Sequence, residues 1–347
     1  MKKSILAGAA ALSLLAGSAA AQSSVTVYGR IDLGLVLDGG GAGKSVRISS
    51  GVTGGSRLGF KGVEDLGDGY KASFQIETGF CADSSAGAPN YCTGGNFMGR
   101  EAHGDLSGPF GVLAAGRVYS LDFLTLAVAD PFATGLAGDS QNLFGDKSTS
   151  RLNNAVHYTT PSLGGLTATG EIAMGERTGD LKAGRETGGA LAYVQGPLYA
   201  SLTALQQDNT NGIGVSRKNI EIGATYDFGV VKVYGLVERA TGNPSGAVRP
   251  LDAIDLLCGV KAPVAGGSLL ASYIRHDDRT ARTAPGGGDR DASQWALGYM
   301  YPLSKRTSVY SSYARIRDEH GAAYTVGNAS EAGTGNQSID VGVMHNF

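Results

Sequence analysis

Apolar and polar residues alternate with a period of two along most of the chain. The clearest stretch is Lys218 to Phe228: Ile220, Ile222, Ala224, Tyr226 and Phe228 on one face, Asn219, Glu221, Thr225 and Asp227 on the other. Tyr70–Thr78, Leu166–Ile172, Val231–Glu238, Ile254–Val260, Gln294–Tyr301 and Ser308–Arg317 repeat the pattern, which is that of strands with one greasy and one polar face. Short Gly-, Pro- or Asp-containing turns at 64–69, 107–111, 161–165, 195–198, 227–229, 262–267 and 302–306 alternate with long polar connections. Seven tight turns on one rim and long loops on the other predict an all-β fold, a 16-stranded antiparallel transmembrane β-barrel. The length agrees, since strands of about 10 residues leave roughly 140 residues for the long loops. Tyr70, Phe80, Tyr226, Phe228, Tyr299 and Tyr301, near strand ends, are the expected interfacial girdles, and Trp295 is the lone Trp.

Composition supports a turn-rich chain: 55 of 347 residues are Gly and only 10 are Pro. A formal charge of -2 and 17% charged residues give no footprint for nucleic acid. Residues 1–21 read as an export signal to be cleaved: Lys2 and Lys3, the apolar run Ile5–Ala16, then Ala19-Ala20-Ala21 before Gln22. Removing them takes away two Lys and leaves a barrel of residues 22–347 with a formal charge of -4. No later apolar run is long enough for a transmembrane helix, so a membrane-spanning form must be a barrel. Export implies an oxidising compartment, and Cys81 and Cys92 share one Gly/Ser/Asn-rich loop, so they are expected to pair. A metal pair is the alternative, without a CxxC or a nearby His to support it, and no metal or cofactor is expected. Cys258 is left on a strand as a small apolar side chain.

Five segments in order, SSVTVYGRIDLG (23–34), SRLGFKGVEDLGDGYKASFQIETGF (56–80), GRVY (116–119), RLNNAVHYTTPSLGGLT (151–167) and IDVGVMHNF (339–347), resemble the trimeric general diffusion porins of Gram-negative outer membranes. The resemblance spans the chain beyond residue 21. It implies a water-filled outer-membrane channel for ions and small hydrophilic solutes, not an enzyme. It also implies a homotrimer in contact with lipid and lipopolysaccharide, and a terminal Phe347 read by the barrel-insertion machinery. A loop at about 120–149 is implied to fold inward and narrow the pore, facing a ladder of Arg30, Arg57, Lys61, Arg100, Arg117 and Arg151. Alternation independently puts Arg30, Arg57 and Lys61 on a polar face. Asp122 and Asp130, with help from Asp32, are expected to answer the cations across the gap, giving weak anion preference and a transverse field that slows apolar solutes.

Three features depart from the family pattern. Alternation from Arg100 puts Glu101, His103 and Asp105 on the outer face, where lipid would disfavour them and a polar subunit contact would not. The expected constriction loop lacks a Tyr-Asp step after GRVY and carries the apolar run Phe123–Val128. A solitary Trp295 is thin for a girdle. Gly29, Gly59 and Gly116 are expected as small outward residues that let barrels pack closely. A substrate-specific channel is the main alternative function. DGGGAGKS (38–45) only mimics a phosphate loop, and His276-Asp277-Asp278 is the one hint of an outer-membrane β-barrel protease.

The pairing of Cys81 with Cys92 is directly testable: thiol labelling of the unfolded, unreduced protein is expected to modify one cysteine, Cys258. Labelling of all three would refute the pair.

Overall fold

The structure, a computed structural model, describes residues 24–40, 43–84, 97–144, 150–209, 215–243, 251–280, 290–319 and 321–347. The expected signal segment, Cys92 and with it the Cys81–Cys92 pair, His320 and residues 145–149 lie outside the described residues. The strands are β1 (Ser24–Gly39), β2 (Ser45–Ser50), β3 (Arg57–Gly67), β4 (Tyr70–Gly79), β5 (Glu101–Gly108), β6 (Gly111–Tyr119), β7 (Arg151–Thr159), β8 (Leu166–Ala173) and β9 (Glu186–Gln195). They continue with β10 (Leu198–Asp208), β11 (Val215–Asp227), β12 (Lys232–Gly242), β13 (Leu251–Val264), β14 (Gly267–Asp278), β15 (Ala292–Pro302), β16 (Thr307–Asp318) and β17 (Gln337–Asn346). One α-helix, α1 (Leu121–Ala129), follows β6.

From β3 onward each strand pairs antiparallel with the next, and β17 returns to β1 over Arg30↔Asn346 to Gly39↔Gln337. The sheet is therefore closed. β2 and β3 lie end to end along β1, β2 opposite Leu33–Asp38 and β3 opposite Ser24–Arg30, so 17 strands make 16 staves. The break between them is built around Asp32. One carboxylate oxygen accepts the Thr53 amide and hydroxyl, both at 2.6 Å, and the Gly54 amide at 3.2 Å; the other accepts the Tyr310 hydroxyl at 2.7 Å. Asp32 is fully buried, so its charge serves this bend and not the open lumen.

Polarity is inside out. On β11, Ile222 is 60% exposed while Glu221 beside it is 1% exposed, and Val341 and Asp340 on β17 repeat the contrast. Such a surface suits hydrocarbon outside and polar contacts within. Rings gather at both ends of the outer wall: Tyr70 near Phe110 and Tyr226 near Phe228 at the short turns, and Trp295 near Tyr313 towards the long loops. Tyr273 lies directly opposite Trp295 on β14, so the single Trp sits in a three-residue aromatic row.

Part of the interior is a hydrophobic core. Leu126, Ala129, Phe132, Leu136, Ala137, Leu143 and Phe144 of the chain after β6 pack on Leu236, Leu257, Leu270, Ile274, Ala296 and Ile316 of the inner wall. Polar ties fix the register of this inserted segment. The Leu136 amide donates to the Val52 carbonyl at 2.7 Å, the Ala137 amide to Ser312 Oγ at 3.1 Å, and Asn142 Nδ2 to Gln294 Oε1 at 3.0 Å.

Two expectations about faces need correction. Glu101, His103 and Asp105 are not on the outer face. They stand directly opposite Glu77, Gln75 and Ser73, and Gln75 Nε2 bonds Glu101 at 2.8 Å while Ser73 Oγ bonds Asp105 at 3.1 Å. Directly opposed residues share a face, and Glu77 is 2% exposed on the inner one. The reason is that β5 begins at Glu101: Arg100 lies in the bend before it, and alternation does not run through a bend. Of the three glycines, Gly29 alone is on the outer face, where a Cβ would strike the Phe347 ring at 2.3 Å. Gly59 lies under the Tyr28 ring and Gly116 opposite His103, both on the inner side.

Candidate functional site: an arginine-lined recess

Arg30 on β1 and Arg57 on β3 are directly opposite one another and point into the lumen. Arg100, before β5, and Arg151, at the start of β7, join them around a recess of about 250 Å³. Its other walls are the Asp32-held bend (Thr53, Gly54 and Gly55), Tyr119 and, from the inserted segment, Phe123, Ala127 and Gln141. The bend packs directly under the guanidiniums: a Cβ on Gly54 would lie 2.8 Å from an Arg30 nitrogen, and one on Gly55 would lie 2.8 Å from an Arg100 nitrogen, so a side chain at either position would displace the end of an arginine.

Glu77 organises the cations. Its Oε1 accepts Arg100 Nε at 2.6 Å and lies 3.6 Å from Arg57, and its Oε2 accepts the Tyr28 hydroxyl at 3.1 Å. Tyr119 is the second hub. Its hydroxyl accepts Arg100 at 3.0 Å and Arg151 at 2.6 Å, the Arg151 guanidinium lies 4.4 Å over its ring, and the ring stacks on Phe123 at 5.0 Å and 9°. A ring in contact with both a cation and a phenyl fixes the guanidinium against the inserted segment. Arg30 bonds the Asn346 carboxamide at 3.0 Å, and among the described residues neither Arg30 nor Arg151 forms an ion pair with a carboxylate. With Glu77, its cross-strand neighbour Glu101 and the buried Asp32 behind the bend as the nearby acids, four guanidiniums against three carboxylates leave the recess positive.

The other expected cations lie elsewhere. Lys61 is on the inner face but nearer the short turns, its ammonium 5.3 Å from the Tyr28 ring centre. Arg117 stands opposite Ala102, which faces Ile76, the alternate face from Glu77; its guanidinium bonds the Gly99 carbonyl and Asn153. The expected acids do not face the arginines. Asp122 is 1% exposed and forms an ion pair with Arg217 on β11 at 2.9 Å, which pins α1 to the far wall. Asp130 is 2% exposed and accepts the amides of Phe132, Thr134 and Ser140, shaping the turn after α1. Across the gap stands an apolar helix where carboxylates were expected.

Sequence reasoning missed Glu77, Tyr28, Tyr119 and Phe123. Glu77 is on the polar side of the Tyr70–Thr78 alternation, so its face is legible although its partners are not. The hint of a protease fails: His276 is 3% exposed and bonds Asp255 at 2.6 Å inside the wall, while Asp277 binds Arg279.

A family model described as Gram-negative porin matches residues 8–340. The chain is 33% identical over 373 residues to outer membrane porin protein 32 of Delftia acidovorans, covering 100% of each chain. It is 31% identical over 390 residues to an outer membrane porin protein of Bordetella pertussis, covering 94% of this chain and 99% of that one. Among solved structures, the anion-selective porin from Comamonas acidovorans superposes with a TM-score of 0.79 at 29% identity, over 94% of this chain and 100% of that one.

The Glu77 hub yields a test. Glu77→Gln removes one negative charge and keeps the side chain's size, so in an asymmetric salt gradient the reversal potential is expected to move further towards that of chloride. An unchanged potential would show that Glu77 does not contribute to the field in the passage.

Proposed function

The chain belongs to the Gram-negative porin family, and we propose that its arginine-lined recess is the constriction of a weakly anion-selective diffusion channel. As an outer-membrane porin it is a water-filled passage for ions and small hydrophilic solutes, a channel and not an enzyme. The observation that carries the selectivity is the meeting of Arg30, Arg57, Arg100 and Arg151 around one recess, with Glu77 the single acid among the described residues in direct ion contact with them.

Net charge over the whole chain is a poor guide to this preference. Charges on the loops are screened within about 8 Å at physiological salt. In a narrow section, low-dielectric walls focus the field and little salt is present to screen it. Four guanidiniums there outweigh a mildly acidic chain. The solved relative named as anion-selective has the same architecture, which supports the reading.

Changing Arg57 and Arg151 to Ser together is expected to shift the reversal potential in a planar bilayer towards cations and to raise conductance for larger solutes. Wild-type preference for potassium over chloride, or an unmoved potential in the double variant, would overturn the assignment.

We also propose cleavage after Ala21, the Cys81–Cys92 disulfide and a homotrimer packed through the early staves, where Val25, Val27, Ile31 and Leu35 expose apolar surface. In mild detergent without heating the protein is expected to migrate as a trimer, and after heating as a monomer somewhat lighter than the 35.4 kDa of the full chain, with Gln22 as its first residue. A monomer before heating would refute the assembly.

A further inference from the structure

A transverse field that repels greasy solutes needs charge on both walls. Among the described residues it has charge on one. Asp122 and Asp130 are turned away and buried, and α1 presents carbon to the arginines. Leu121, Asp122, Thr125, Leu126 and Ala129 of the helix are buried, with Thr125 hydrogen-bonded to Thr203 of β10 at 2.7 Å and Asp122 held by Arg217. The remaining arc consists of Phe123, Leu124, Ala127 and Val128, which a rotation of 100° per residue brings together on one side. Phe123 and Ala127 line the recess itself, and Leu124 and Val128 beside them are 43% and 41% exposed inside the barrel. Phe123 is held in place by its stack on Tyr119.

We propose that this constriction favours anions that carry an apolar group, aryl and short alkyl carboxylates, over hydroxylated anions of the same charge. The inference rests on the porin reading and extends it to a substrate class. A carboxylate can take charge-assisted hydrogen bonds from Arg30 and Arg151, which have no carboxylate partner among the described residues. A ring or alkyl chain attached to it then lies against Leu124, Val128 and the Phe123 edge, displacing water that no charge on the helix holds. Each methylene withdrawn from water raises occupancy by roughly fourfold. A polyhydroxylated anion gains the guanidinium contacts alone and must give up hydration at the helix.

The test uses the full mature protein in planar bilayers carrying a chloride current, with sodium benzoate or sodium gluconate added as the competing monoanion. Benzoate is expected to reduce the chloride current at concentrations at least about tenfold lower than gluconate, with saturation. In the Leu124→Ser/Val128→Ser variant that advantage should fall to about twofold or less, while the chloride-over-potassium reversal potential stays where it was. Both side chains are exposed, so the barrel and helix are expected to persist, and the wild-type comparison of the two anions stands without the variant. Equal effects of benzoate and gluconate on the wild type, with chloride preference intact, would overturn the inference and leave the porin reading standing. An advantage that survives in the double variant would overturn the role of α1. A wild-type preference for potassium would instead remove the anion-selective reading, and this inference with it.

Discussion

The fold depends on one constraint: a chain surrounded by hydrocarbon must satisfy every backbone donor and acceptor from within. A sheet does so only if it has no edge. The ladder between β1 and β17, from Arg30↔Asn346 to Gly39↔Gln337, closes the ring, and Gly29 and Phe347 continue it with reciprocal amide–carbonyl bonds. With the ring closed, the period of two fixes the rest. Each strand sends one set of side chains to lipid and the other to the interior, which is why Ile222 is exposed and Glu221 is buried.

Closure creates a second problem, because a 16-stave ring encloses more space than its own side chains fill. The segment after β6 solves it by filling part of the barrel with a conventional core, Phe132, Leu136 and Leu143 against Leu257, Ile274 and Ile316. The passage is what remains, on the side where Arg30, Arg57, Arg100 and Arg151 gather. The broken second stave belongs to the same design. Asp32 folds residues 51–56 inward, so the bend and the inserted segment meet at the Leu136–Val52 hydrogen bond.

Much of the architecture was legible because it is periodic. All seven short turns join the strand pairs expected, and Lys218–Asp227 lies along β11 with its predicted faces, Phe228 following in the turn. Reading failed where periodicity stops. Arg100 sits in a bend, so parity counted from it put Glu101, His103 and Asp105 on the wrong side. Asp122 and Asp130 read as pore-facing because charge opposite charge is economical. A helix, however, has a buried side as well as an exposed one, and Asp122 is on the buried side because Arg217 on β11 waits there. The partners of Glu77 lie on three other segments of chain, a relation that no local pattern encodes.

Tyr119 gives the aperture a property that none of its arginines has alone. One hydroxyl holds two guanidiniums, and one ring contacts both Arg151 and Phe123 of the inserted helix. At this position bore and charge are therefore coupled. A substitution at Tyr119 that loosens the helix also frees Arg100 and Arg151, so a wider opening comes with a rearranged electrostatic rim. For a lineage adapting to new nutrients, a change at Tyr119 moves size and charge together, whereas a change at Glu77 moves charge alone.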